Sequence, residues 1–201
     1  MTTKTRAGDT RERLVVAAWE CVRKHGTAGA TSRAVTAAAD ANLGAITYYF
    51  GSKDALVAEA VGGAIEALLA PALHALQDEA RDPVGRLLGA VTQLQQAYEQ
   101  ADEDAPAYLE VLIQSRRHPE LRQRVSRILA EIRAILSKQM AELKTRGFLP
   151  DWVQPEPMAG LLLAVAQGVV LQTAIDPAGP NHTSMADQFA QLLLASRADT
   201  R

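Results

Sequence analysis

Thr31-Ser32-Arg33 and Asn42 to Lys53 hold the side chains of this chain best suited to gripping a phosphodiester or reading a base edge. Thr31, Tyr49 and Lys53 suit phosphate oxygens, which set register without carrying sequence information. Arg33 can reach guanine bidentately. Gly44 and Ala45 are small enough to admit base edges, the methyl groups of Ala45 and Thr47 suit a thymine methyl, and the Thr47 hydroxyl can bond an acceptor. Tyr48 offers a ring and a hydroxyl to DNA, and Ser32, Asn42 and Leu43 complete the candidate contact set. Bond-making chemistry has no comparable constellation. His25, His74, His118 and His182 are scattered, and Glu-x-x-His, Cys-x-x-Cys, a glycine-rich phosphate loop and Gly-x-Ser-x-Gly are all absent. Asp102-Glu103-Asp104 reads as a solvated helix cap. The expectation is no catalytic residue, no metal and no cofactor.

Those contact residues need a scaffold of short helices. Thr31 or Ser32 caps a helix ending near Ala39, Asp40-Ala41-Asn42 turn the chain, and a further helix runs from about Leu43 to Phe50. This is the plan of a helix-turn-helix, which lays its second helix in the DNA major groove. Ala39, Leu43, Ile46 and Phe50 have the spacing of an inner face, leaving Gly44, Ala45, Thr47 and Tyr48 outward. Before the motif, Asp9 and Glu12 form a candidate capping box for a helix reaching His25, which Gly26 stops. After it, Ser52 caps a helix running to about Glu79, with Pro71 predicted to kink or split it. Asp82-Pro83, Asp104-Ala105-Pro106 and His118-Pro119-Glu120 open three more.

The helix opened by His118 carries a stripe of Leu121, Val125, Ile128, Leu129, Ile132, Leu136, Met140 and Leu143. Arg122, Arg124, Arg133 and Lys138 form its solvated face, with Glu120–Arg124 and Glu142–Arg146 as oriented i,i+4 pairs. A proline-rich linker, Leu149 to Pro157, precedes a helix from Pro157 to Ile175 that is apolar nearly all round and so must be covered on more than one side. Leu162, Val165, Val169 and Gln172 on that helix, with Phe189 and Leu193 on a ninth helix capped by Ser184, are the expected dimer contacts.

Of 201 residues 48% are hydrophobic and 4% aromatic, a balance that favours packed helices. Residues 1–54 carry a net charge of +3 and the remainder −5, a basic head on an acidic body. The single cysteine, Cys21, permits no disulfide within one chain and fits a reducing cytoplasm. No apolar signal segment follows Met1, and the most apolar run, Ala159–Leu171, is too short to span a bilayer.

Residues 10–60 resemble the N-terminal domain of the TetR family of transcriptional regulators. The resemblance is carried by Gly26, Thr31, Arg33, Ala39, Asn42, Gly44, Ile46, Tyr49, Phe50, Lys53 and Leu56. Asp40, Ala41 and Thr47 stand where that family usually has Gly, Val and Tyr; Asp40 can adopt the left-handed conformation a glycine would supply. The resemblance implies an all-α protein of about nine helices, with a three-helix DNA-binding domain over 1–54 and a helical-bundle domain for ligand binding and dimerisation over 55–201. It implies a cytoplasmic homodimeric repressor on double-stranded DNA with a pseudo-palindromic operator, released by a small-molecule effector through the helix that starts at Lys53. The body is rich in Leu, Val, Ile and Ala, so a largely apolar effector is expected, with Tyr98, Tyr108, Gln114 and Trp152 as candidate pocket contacts. Two other readings stand beside this one: a small helical enzyme, which no nucleophile or carboxylate pair supports, and a DNA-binding protein answering to a partner protein.

Overall fold

The computed structural model describes residues 3–100, 104–176, 178–180, 184–185, 188–189 and 191–192. Every regular element among them is helical: α1 Thr3–Gly29, α2 Ser32–Ala38, α3 Leu43–Phe50, α4 Lys53–Leu76, α5 Pro83–Gln100, α6 Asp104–Gln114, a 3₁₀ turn Ser115–Arg117, α7 Pro119–Thr145 and α8 Pro155–Ile175. Local chemistry explains most boundaries. The Thr31 hydroxyl accepts from Ala34 N at 3.2 Å, Asn42 Oδ1 from Ala45 N at 2.9 Å and Ser52 Oγ from Ala55 N at 2.9 Å. Each satisfies an amide that the first helical turn leaves without a partner. Asp82 caps α5 through Val84 N and Gly85 N at 2.9 and 3.0 Å.

Two expectations about α1 and α4 change, and one holds. Asp9 is not a cap: α1 begins at Thr3, and Asp9 sits mid-helix in an ion pair with Arg13. Gly26 stops the first helical stretch as expected, its φ 67° and ψ 176° lying outside the helical region, and a short second stretch carries α1 on to Gly29. Pro71 lies within a continuous α4 that ends at Leu76. By length and composition α4 could cross a membrane. Its apolar residues Leu56, Val57, Val61 and Ile65 are instead buried within the protein.

The chain compacts into two units, residues 1–66 with 107–128, and residues 67–106 with 129–201. The first gathers Leu14, Ala18, Val22, Val35, Ile46, Leu56, Val61, Tyr108, Val111, Leu121 and Val125. The second gathers Leu76, Leu87, Ile132, Leu136, Met140, Leu143, Leu149 and Val153. This partition differs from a cut at residue 54, because α6 and the first third of α7 return in sequence to join the head. Both α4 and α7 therefore contribute to both units, so α4 is not the sole long element shared by head and body.

The stripe on α7 is buried from Leu121 to Leu143, with Leu129 half-buried. The segment read as a linker is fastened: Lys144 Nζ donates to the carbonyls of Asp151 and Val153 at 2.6 and 2.9 Å, and Val153 is buried. Cys21 is buried, and desolvation pushes its thiol up, keeping it a protonated packing group.

Candidate nucleic-acid interface

The two helices of the motif are joined by a turn whose geometry depends on Asp40 at φ 47°. A short polar side chain tolerates that left-handed backbone better than most. From α1, the Arg13 guanidinium Nε donates to the Ala39 carbonyl at 3.1 Å while its Nη1 holds Asp9 at 2.9 Å. Arg13 thus supplies a donor to the C-terminal end of α2, where the helix dipole favours a cation. At the far end of α3, Arg11 pairs with Glu59 at 2.6 Å and places its guanidinium 5.0 Å from the Phe50 ring centroid. Side chains of α1 thus hold the C-terminal end of α2 and the C-terminal end of the recognition helix α3.

With α3 so placed, Gly44, Thr47 and Tyr48 are exposed, Tyr48 at 80%. Two orientations differ from the expected face. Ala45 is buried at 8% beside Ile46 at 3%, so it does not present a methyl outward; Leu43, assigned to the inner face by spacing, is 55% exposed. Asn42 fixes where α3 starts, its Oδ1 accepting from Ala45 N at 2.9 Å, and packing then turns Ala45 and Ile46 inward, with Tyr49 one turn on half-buried and Leu43 ahead of that stripe. Phe50 is half-buried rather than core, with Arg11 over its ring; Tyr49, also half-buried, stacks edge-on against Tyr48 at 4.8 Å.

Charge in the head is largely spent internally. Arg11 pairs with Glu59, Arg13 with Asp9, Arg23 and Lys24 with Glu20, and Lys53 with Asp54. The Arg23 hydrogen bond holds the Glu20 carboxyl below the usual range. The guanidinium of Arg33, exposed on α2 beside Thr31 and the half-buried Ser32, makes no ion pair or hydrogen bond among the described residues; the Arg33 carbonyl accepts from Thr36 Oγ1 at 3.3 Å. The net +3 is therefore a poor guide to the surface; Arg33 matters more, and Lys53 meets phosphate only by sharing or leaving Asp54, 2.8 Å away. Thr31 and Asn42 accept in their caps but retain an O–H and an N–H able to meet phosphate.

The head is also braced by α7. Ser52 Oγ donates to Glu120 at 3.1 Å, Arg124 pairs with Glu66 at 2.6 Å, and a β-carbon at Gly62 would collide with Arg124. Glu120 and Arg124 each serve α4 in this way, so the expected Glu120–Arg124 pair does not form and Arg124 is not on a purely solvated face. Glu142–Arg146 does form, at 2.8 Å.

The candidate pocket residues divide between the two units. Tyr108 and Gln114 belong to the first unit, Tyr98 and Trp152 to the second. Tyr108 is buried, Tyr98 and Gln114 half-buried, and Trp152 is 70% exposed, so Trp152 does not line an interior. An open groove of about 780 Å³ lies between α4 and α5, bordered by Pro71, His74, Arg81 and Gln93 and by none of those four. Sequence reasoning missed two buried polar side chains of the second unit, Arg86 and Gln139, the first paired with the half-buried Glu142 at 2.7 Å. Gln139, three residues after Leu136 and four before Leu143, was legible as an inner position. No metal-holding cluster of His, Cys, Asp and Glu occurs among the described residues.

On α8, Ala159 and Val170 are buried, Leu162, Val165 and Val169 half-buried, and Gln172 exposed. Leu161, Leu171 and Ile175 are exposed large apolar residues on the same helix. Phe189 is half-buried; Leu193 lies outside the described residues.

Residues 14–60 match the model of bacterial regulatory proteins of the tetR family, and residues 83–196 match the C-terminal domain of BetI-type transcriptional repressors. No functionally curated protein matches the sequence. Among solved structures, a Pseudomonas aeruginosa PAO1 protein described as a transcriptional regulator superposes with a TM-score of 0.81 at 22% identity, covering 94% of this chain and 90% of that one. A TetR transcription regulator from Haloarcula marismortui gives 0.77 at 21%, covering 94% and 98%. The multidrug binding protein EbrR, complexed with imidazole, gives 0.69 at 26%, covering 92% and 94%.

Proposed function

Because this chain belongs to the TetR family of transcriptional regulators, we propose that it is a homodimeric repressor that binds a pseudo-palindromic operator and is released by a small molecule. One observation carries the DNA half of this reading: α3 exposes Gly44, Thr47 and Tyr48 while Arg33 stands beside them uncommitted. In the proposed complex Arg33 reads a base, Leu43, Gly44, Thr47 and Tyr48 meet the groove floor and wall, and Thr31, Ser32, Asn42, Tyr49 and Lys53 hold phosphates. One reading head per chain gives limited specificity, and two-fold symmetry would double it over half-sites about one helical turn apart.

The apolar surface of α8 supports the dimer. A helix that leaves Leu161, Leu171 and Ile175 exposed in one chain is covered at little cost in polar desolvation by its own symmetry mate, Gln172 being the polar side chain assigned to the seam. Leu162, Val165, Val169, Gln172 and Phe189 are the residues assigned to that interface, and Leu193 by continuation. The imidazole complex of EbrR supports a small-molecule effector for this fold. An effector would act by binding the released arrangement more tightly than the DNA-bound one; tenfold release needs about 1.4 kcal/mol of difference. As a family of soluble DNA-binding proteins, TetR regulators work in the cytoplasm, and that location is proposed here too.

Selection of tight binders from a pool of random-sequence duplexes tests the reading, since the pool presumes no operator sequence. The expected product is an inverted repeat bound by two or four chains. Enrichment of one unrepeated half-site at full affinity would refute it.

A further inference from the structure

Gln139 is an inner residue of α7, 3% exposed, between Leu136 and Leu143 in the buried stripe, and its Oε1 has no hydrogen-bond partner among the described residues. A buried carboxamide left this way is costly, and such groups call for a specific explanation. A second polar atom of the same unit shares the condition. Arg86, at the start of α5 and 8% exposed, bonds Glu142 through Nη2 at 2.7 Å, one turn along α7 from Gln139, and its Nε is buried without a partner among the described residues. One atom accepts and the other donates.

We infer that Gln139, with the spare Arg86 N–H, is the polar end of an effector site in the second unit, and that it takes a neutral carboxamide or lactam head on an apolar body. The inference rests on the effector reading above and gives it a chemical class. A carboxamide offers a donor and an acceptor side by side, and so matches Gln139 whichever way its own amide is turned. A second lone pair on the same oxygen can accept from Arg86. Charge argues for a neutral head. Glu142 is shared by Arg86 and by Arg146 at 2.8 Å, and Arg146 acts in turn on Asp82, so the two guanidinium groups are balanced by two carboxylates. A carboxylate head could accept from Arg86 but has no proton for Oε1. The flanking Ile132, Leu136, Met140 and Leu143 suit an alkyl or ring body.

Gln139→Met, unbranched and of similar length, and hexanamide as probe, with hexanoate as its charged counterpart, test the site on the full chain. Removing an unsatisfied amide from an apolar stripe should raise the ligand-free Tm by about 2–4 °C. Hexanamide should raise the wild-type Tm and move the Gln139 side-chain NH₂ resonances in ¹⁵N-edited spectra, hexanoate should do neither, and Gln139→Met should lose the Tm response. An unchanged or lowered Tm in the variant would mean that the amide has a structural partner, such as an internal water, and would overturn the proposal. Wild-type resonances that ignore hexanamide, or move equally with hexanoate, would overturn it as well. Random-duplex selection with Gln139→Met separates this from the regulator reading: the same inverted repeat should emerge, because the reading head is untouched, whatever happens at Gln139.

Discussion

Arg13→Met separates a residue that positions the recognition helix from one that touches DNA. The substitution keeps much of the aliphatic stem and removes the donor to the Ala39 carbonyl, a group on a residue only 3% exposed. A hydrogen bond from a charged donor contributes about 1.5–3 kcal/mol. The Arg13 side chain is 44% exposed, so screening reduces this to roughly 1–2 kcal/mol. For a chain of this size that corresponds to a fall in Tm of about 2–8 °C. If the turn at Asp40 and the start of α3 loosen in proportion, affinity for the selected duplex falls by about tenfold for each 1.4 kcal/mol transmitted. The diagnostic quantity is the slope of log affinity against log salt, measured by fluorescence anisotropy between about 50 and 200 mM. A positioning residue releases no counterions, so the slope should equal the wild-type value within error, while a phosphate contact lowers it by about one unit. A flattened slope for Arg13→Met, or an unchanged Tm and affinity, would refute the argument.

Lys53→Ala should weaken binding to all duplexes alike and flatten the salt slope, whereas Arg33→Ala should cost about 1–3 kcal/mol at one base position per half-site, seen as relaxed preference there in repeated selection. Leu162→Asp on α8 should give monomers or insoluble chains in sedimentation; an intact dimer carrying both Leu162→Asp and Leu161→Asp would place the interface elsewhere. The Asp82 carboxyl is held below its ordinary value, first by the Gly85 amide and then by that of Val84. Its folded value being depressed, the stability it contributes is present above about pH 4, the unfolded range, and is lost as pH falls through the folded value. Asp82→Asn should therefore lower Tm at about pH 7 by more than at about pH 3 in thermal melts, and an equal deficit at both would show that the cap does not depend on charge.

Features set by neighbours a few residues apart were legible in the amino-acid sequence by itself. Thr31, Asn42, Ser52 and Asp82 cap helices through bonds that span three residues or fewer, Asp40 takes the left-handed turn conformation, and the Leu121–Leu143 stripe follows from helical period alone. The all-helical class and the reading head follow from these. What only tertiary structure decided depends on residues distant in the chain. Successive helical residues point about 100° apart, so spacing left Leu43 and Ala45 to be sorted by packing, which turned Leu43 out and Ala45 in. Which cations remain for DNA depended on partners 48 positions away, as with Arg11 and Glu59, and the bracing of α4 on Glu120 and Arg124 spans 68 and 58 positions. The same holds for the return of α6 and early α7 to the head, the exposure of Trp152 and the burial of Gln139. A side chain's type states what bonds it can make, but its burial and its partners are properties of the packed chain, because they depend on which segments the core brings beside it.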